Sequence, residues 1–360
     1  MKNNRRKFFK SIGLLTAGAL ASGLSSEKSF AQKKIQWKMV TSWPKNFPGL
    51  GAGAETLANY INLLSGGSLK IKVFGANELV PPLGVFDYVS SGGAEMGHSG
   101  AYYWKGKTEA AQFFSSVPFG MTAQEMNAWL YYGDGLQLWE KVYKDFNLVP
   151  RPAGNTGVQM GGWFNKEINS TDDLKGLKMR IPGLGGEVLA RAGGTPFTLA
   201  GSEIFTSLQT GVIDATEWVG PYNDRAFGLH KAAKFYYYPG WHEPGPSLEC
   251  IINKDAYNNL SKQHQSIIDI ACKAANIDMI SDYMSKNYQA LEFFQKEKVQ
   301  IKQFPKEVLS KLNSISKEVL LELSNKDNLS KQVYDSYMNF LKRVRPWTLI
   351  SEDGYLNSFE

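Results

Sequence analysis

Four residues of this 360-residue chain have the types and settings to do ligand chemistry: Gln159, Arg180, Glu217 and Glu243. Arginine is always charged and presents a planar fork matched to a carboxylate, so it is costly to bury unless an anion meets it. Arg180 lies at the end of an otherwise mostly apolar run, Leu177 to Ile181. Its partner is either a ligand carboxylate or a nearby acid such as Asp172 or Asp173. Glu217 and Glu243 are hard oxygen donors, and a buried carboxylate demands a cation or hydrogen-bond donors. With the Gln159 amide oxygen and the main-chain carbonyl of Trp218 they can ring a Na⁺ or Ca²⁺. Gln159 also reads as a solvent-facing strand residue, and Glu243 as an acid on a surface loop. An anion held between an arginine and a cation is gripped by charge on two sides.

Other chemistries find less support. Gly183-Leu184-Gly185-Gly186-Glu187-Val188 follows a strand and opens a helix, as a dinucleotide loop does, but its sixth position is Val188 and the GxGxxG pattern fails. No phosphate-binding GxxxxGK[ST], HExxH, GxSxG or CxxC motif occurs. Glu217 and Glu243 could also be set as a glycosidase pair, which keeps a periplasmic hydrolase or lyase as the rival class. Trp218, Asn223, Tyr102 and Tyr103 are candidates for a cleft wall: aromatic faces exclude water, and an amide or hydroxyl orients a ligand. The chain has 46 aromatic residues (9 Trp, 17 Tyr, 20 Phe), so any one of them is equally a core residue. His98 reads as structural.

The elements that must position these residues follow from periodicity. Ile35 to Ser42 and Ser68 to Phe74 alternate as strands around an amphipathic helix, Gly51 to Leu64. Leu83 to Ser90 is a short helix, and Ala94 to Gly97 leads to a loop with His98, Tyr102 and Tyr103. Thr122 to Tyr143 reads as one helix, Pro150-Arg151-Pro152 as a break where the chain crosses over, and Thr156 to Asn165 as a strand. From Leu174 to Trp218, strand, helix, strand, helix, strand is the alternation of an α/β layer, which puts Arg180 and Glu217 at strand ends. An aromatic run from Phe235 ends in Glu243, and Ser247 to Asn253 is another strand. Helices then span about 262–296, 305–323 and 330–344. Crossings near 150–157 and 241–247 predict two lobes with a cleft between them.

The segments LKGLKMRIPG and GGTPFTLAGSEIFTSLQTGVIDATEW resemble the DctP family, the solute-binding subunits of tripartite ATP-independent periplasmic (TRAP) transporters. The resemblance spreads over most of residues 35 to 345. GNTGVQMGGWF (154–164) and EWVGPYND (217–224) are most similar to the branch that binds 2-oxo acids with a cation. It implies a two-lobed, venus-flytrap α/β fold with a long helix spanning both lobes. The first lobe would be 32–157 plus 246–285, and the second 158–245 plus 286–360. It further implies Arg180 as the carboxylate clamp, with Gln159, Trp218, Asn223, Tyr102 and Tyr103 around the ligand. Gln159, Glu217, Trp218 and Glu243 would hold Na⁺ or Ca²⁺. The expected protein is no enzyme: it hands a pyruvate- or lactate-like acid, or else a dicarboxylate, polyol or aromatic acid, to a membrane permease.

Residues 1–31 read as an export leader. Asn4-Arg5-Arg6-Lys7-Phe8-Phe9-Lys10 is a twin-arginine pattern, Ile12 to Leu24 is apolar, and Ser29-Phe30-Ala31 is a small-x-small cleavage site. The thirteen-residue apolar run falls short of the ~20 residues that span a bilayer. The leader holds six of the basic residues and one acidic residue, so 34 basic and 33 acidic remain and the net charge drops from +6 to +1. No basic patch remains to suggest nucleic acid. Cys250 and Cys272 would enter an oxidising compartment, and their spacing decides neither for nor against a disulfide. Val333, Tyr334, Tyr337, Met338 and Leu341 form a stripe that either packs onto the second lobe or joins a homodimer.

Overall fold

The computed structural model describes residues 34–359; the predicted leader lies outside the described residues. Among the described residues, eleven strands fall into two sheets. The first comprises β1 (Ile35–Thr41), β2 (Leu69–Phe74), β3 (Met96–Ser99) and β4 (Leu148–Asn155), completed by a later strand, Ser247–Asn253. The second comprises β5 (Gly162–Phe164), β6 (Lys178–Arg180), β7 (Thr195–Phe197), β8 (Ala215–Thr216) and β9 (Phe235–Tyr238), with Gln300–Gln303 as its edge. Ser247–Asn253 is β10 and Gln300–Gln303 is β11. The strand orders are β2-β1-β3-β10-β4 and β11-β9-β5-β8-β6-β7. The fold is the two-lobed α/β type that the sequence implied. The chain passes between the sheets through residues 156–161 and again through 239–246.

Helices α1 (Leu50–Leu64), α2 (Val85–Ser90), α3 (Ala123–Tyr132) and α4 (Gly135–Tyr143) belong to the stretch that builds the first sheet. Those in the stretch of the second are α5 (Gly183–Arg191), α6 (Gly201–Gln209) and α7 (Pro221–Phe227). They are followed by α8 (Lys254–Asn258), α9 (Lys262–Lys296), α10 (Lys306–Ser324) and α11 (Asn328–Thr348). In α1 the buried residues Leu50, Ala54, Leu57, Ala58 and Ile61 recur at three- and four-residue spacing, the stripe that packs a helix on a core. Ser261 caps α9 by accepting from the His264 amide. The 35 residues of α9 run against α1 and β4 at one end and α7 at the other.

Three readings change. Pro150-Arg151-Pro152 is no crossing but the middle of β4, an edge strand paired only with β10, where a missing donor can face away from the ladder. The single helix expected over 122–143 is two, because the chain turns at Gly133-Asp134. The C-terminal stripe packs on α10, which itself packs on α5, but also crosses onto α3 and α4 of the first stretch. Val333 and Tyr337 are buried in the core that holds Phe113 and Trp129, and the Tyr337 ring lies 5.8 and 5.1 Å from those two rings. Arg345 closes the contact with hydrogen bonds of 2.8 Å to both Glu125 oxygens. Cys250 and Cys272 are free thiols, buried in one apolar cluster. Among the described residues, no helix is long and apolar enough to cross a membrane.

Candidate carboxylate and cation site

Strand register brings the charged residues together. Arg180 pairs with Thr216 in the parallel ladder of β6 and β8, and the Glu217 amide donates to the Arg180 carbonyl at 3.1 Å. The two side chains therefore leave the same end of adjacent strands, and the guanidinium binds the Glu217 carboxylate directly. Its remaining donors reach the Leu199 carbonyl (3.3 Å) and the Tyr103 hydroxyl (3.1 Å), and the Trp218 ring centre lies 5.1 Å from its Cζ. The arginine is 1% exposed. Burial works against its charge, but Glu217, Tyr103, Tyr102 and Glu243 together outweigh it and hold the guanidinium above its usual range. Of the partners open to Arg180, Asp172 and Asp173 are not the ones it takes.

Gln159 and Glu243 arrive by another route. They sit in the first two of the three segments that pass between the sheets, and those two bond to each other. The Gln159 amide donates to the Glu243 carbonyl at 3.2 Å, and the Gly240 amide donates to the Gln159 carbonyl at 2.9 Å. Gly240 is needed for this approach, since a Cβ there would fall 2.3 Å from the Gln159 oxygen. Tyr102 and Tyr103 come from the first sheet, in a 3₁₀ turn (Ala101–Trp104) at the carboxyl end of β3. Tyr102 lies over the start of α5, where Gly183 (φ +61°) has no room for a Cβ: it would be 2.9 Å from the Tyr102 Cβ. Burial raises the Tyr102 hydroxyl well above its usual range, and Glu243 adds to the effect.

What the site lacks is partners. Among the described residues twelve buried side-chain polar atoms have no hydrogen bond, and six belong here: Gln159 Oε1, Glu217 Oε2, Trp218 Nε1, Glu243 Oε2 and both His242 ring nitrogens. Buried polar groups are nearly always satisfied, so such a concentration marks a binding place. Burial drives the Glu243 carboxyl well above the carboxylate range and Glu217 pushes it further, against Arg180. Three unpartnered hard oxygens, two of them on facing acids, fit a Na⁺ or Ca²⁺, which takes oxygen ligands and would relieve the repulsion.

Asn223 is not brought to this ring. Its Nδ2 donates to the Pro48 carbonyl (2.8 Å) and its Oδ1 accepts from Tyr283 (2.7 Å), so both ends of the amide are taken within the chain. His98 accepts from Trp43 Nε1 at 2.8 Å in the first sheet's interior, where burial lowers it to about 4.

The profile of the bacterial extracellular solute-binding proteins, family 7 (DctP), matches residues 39–327. The chain belongs to this family. A monocarboxylate 2-oxoacid-binding periplasmic protein of Nostoc sp. is 44% identical over 98% of both chains. Two solved TRAP periplasmic solute-binding proteins share the fold. That of Colwellia psychrerythraea, with bound calcium and pyruvate, has a TM-score of 0.88 at 44% identity. That of Pseudoalteromonas atlantica, with bound sodium and pyruvate, has 0.89 at 43%. Each covers 91% of this chain and 100% of its own.

The family is one of transport receptors, which removes the hydrolase or lyase reading of Glu217 and Glu243. In this family 7 protein, sequence reasoning passed over two residues of the ring's neighbourhood. His242 Nε2 lies 3.4 Å from Glu217 Oε2, and ligand atoms of Glu217, His242 and Glu243 all fall within 4.8 Å of one another. The only signal was its place beside Glu243. Gln112 is 0% exposed with Oε1 unpartnered, close to Gly183, and nothing in its local sequence pointed to the site.

Proposed function

We propose that this chain captures a short 2-oxo or 2-hydroxy monocarboxylate, pyruvate or lactate in type, together with Na⁺ or Ca²⁺, and delivers it to TRAP permease subunits. The observation that carries the reading is the set of unpartnered oxygens on Gln159, Glu217 and Glu243 beside a fully buried Arg180. In it, Arg180 clamps the carboxylate, and Gln159, Glu217, Glu243 and the Trp218 carbonyl hold the cation, which supplies positive charge to the acid's other oxygens. Tyr102, Tyr103 and the Trp218 ring wall the ligand in. Asn223 acts beside them by tying α7 to the Pro48 segment and α9. The bound calcium or sodium and pyruvate of the Colwellia and Pseudoalteromonas proteins support this assignment.

The lobes proposed for closure are 32–157 with 246–285, and 158–245 with 286–360, α11 reaching back over the first. Sheet membership supports that division. Export by the twin-arginine route with cleavage after Ala31 places the protein in the periplasm. A homodimer through the C-terminal helices is supported by exposed Trp347, Ile350, Tyr355, Leu356 and Phe359 beyond a surface cavity of about 630 Å³ lined by Tyr132, Phe340 and Val344. Sedimentation that gives only a monomer removes it.

Refolded, chelator-treated protein should be heated with short 2-oxo and 2-hydroxy acids, with and without Na⁺ and Ca²⁺. A site filled to ~100 times its dissociation constant adds roughly 2.7 kcal/mol. A cation-dependent rise in Tm with pyruvate or lactate is expected. A rise with dicarboxylates or polyols alone would keep the transport role and discard this ligand class.

A further inference from the structure

The ring carries one donor that a site for Na⁺ or Ca²⁺ does not need. His242 is 2% exposed, and neither ring nitrogen has a hydrogen-bond partner. Its Nε2 stands 3.4 Å from Glu217 Oε2, whose own bonding is also incomplete. The first turn of α5 backs the residue closely: a Cβ on Gly185 would lie 3.0 Å from the His242 Cβ. The imidazole thus has a fixed seat with its nitrogens free.

Two atoms bound at about 2.0–2.1 Å to one tetrahedral ion stand roughly 3.3–3.4 Å apart. His242 Nε2 and Glu217 Oε2 have that separation, and a Glu243 oxygen completes the cluster. Imidazole nitrogen suits zinc and its borderline neighbours, whereas the hard cations take oxygen. Three protein ligands of this mixed kind leave coordination positions open, as zinc sites that exchange their fourth ligand do.

We infer that His242, Glu217 and Glu243 form a nitrogen-containing site for Zn²⁺, its open positions facing the carboxylate and 2-oxo oxygens of the bound acid. The inference rests on the proposal that the two glutamates face the ligand's cation. A hard cation uses the oxygen donors alone; Zn²⁺ adds Nε2.

The test is calorimetric titration of chelator-treated mature protein with Zn²⁺ and, separately, with Ca²⁺, each with and without pyruvate. One Zn²⁺ per chain is expected, and His242→Gln should lower Zn²⁺ affinity by about 100-fold, several times more than it lowers Ca²⁺ affinity. Nitrogen-15 shifts of the His242 ring on adding Zn²⁺ to the unaltered protein report the same bond without relying on the variant's folding. Wild-type protein that takes Ca²⁺ and pyruvate but no Zn²⁺ overturns the inference alone. So does Zn²⁺ affinity that His242→Gln leaves unchanged, or a ring signal that does not move. Failure to bind pyruvate with any cation overturns the proposed function beneath it.

Discussion

Two fully buried glutamates in this molecule have opposite surroundings. Glu249, on β10 in the first sheet, accepts from Trp104 Nε1 on one oxygen and from the Tyr143 hydroxyl (2.8 Å) on the other. Glu243, six residues earlier in the second passage between sheets, keeps an oxygen with no partner and faces another acid. Burial raises both carboxyls, Glu249 to about 7. What separates them is satisfaction. An acid whose oxygens all have donors is finished as a piece of structure, whereas an acid left short is waiting for something the chain does not contain. Burial alone distinguishes nothing here, and counting lone pairs does.

The comparison can be broken most sharply at the ring. Arg180→Ala should cost about 2–5 kcal/mol of pyruvate binding, as truncating one partner of a buried charge pair does, without unfolding the protein. Retained affinity by calorimetry would remove the clamp. Glu243→Gln should abolish cation dependence while leaving a folded chain, and cation-independent binding in the wild type would contradict it. Glu249→Gln should act the other way. It strands one of two buried donors, so unfolding in urea should show about 1–3 kcal/mol lost, with ligand affinity moving far less than for Glu243→Gln.

A smaller effect sharpens the contrast. In cation-free buffer Glu243→Gln removes repulsion from Glu217, and a gain of about 1 kcal/mol would raise Tm by roughly 1–3 °C in a chain this long. A fall in Tm would mean Glu243 is already satisfied. The most diffuse signal, spread over several pH units, is in pH. Glu249 and Asp224 both sit at about 7 in the folded protein, raised by burial. The native state therefore binds more protons than the unfolded one between about pH 4 and 7, and their stabilisation is lost as pH rises through that window. His98, lowered to about 4 by burial, works in the opposite sense. Glu249→Gln should flatten the fall by at most ~1.4 kcal/mol per pH unit, and an unchanged slope would assign the protons elsewhere.

Legibility in the sequence followed range. Arg180 and Glu217 could be read because each ends a strand of a local α/β alternation, and α9 was read end to end because its caps and length are written in adjacent residues. Gln159 and Glu243 could be suspected from type, but their meeting depends on backbone bonds between segments 84 residues apart, Gln159 to Glu243. His242 carried no period or motif. Asn223 was read toward the ligand from its surroundings in the PYND run, while its actual partners, Pro48 and Tyr283, are distant in sequence. The short edge strand β11 left no alternation long enough to see, and Pro150 and Pro152 look like breakers until β4 is known to lie at an edge.

Helix α9 has a use of its own. A continuous helix rises 1.5 Å per residue, so exposed Gln263 and Gln295, near its two ends, lie about 48 Å apart. That spacing belongs to the helix and not to whatever the sheets do around it. A pair of spin labels there is an internal standard, against which labels placed one on each sheet can be read when the acid is added.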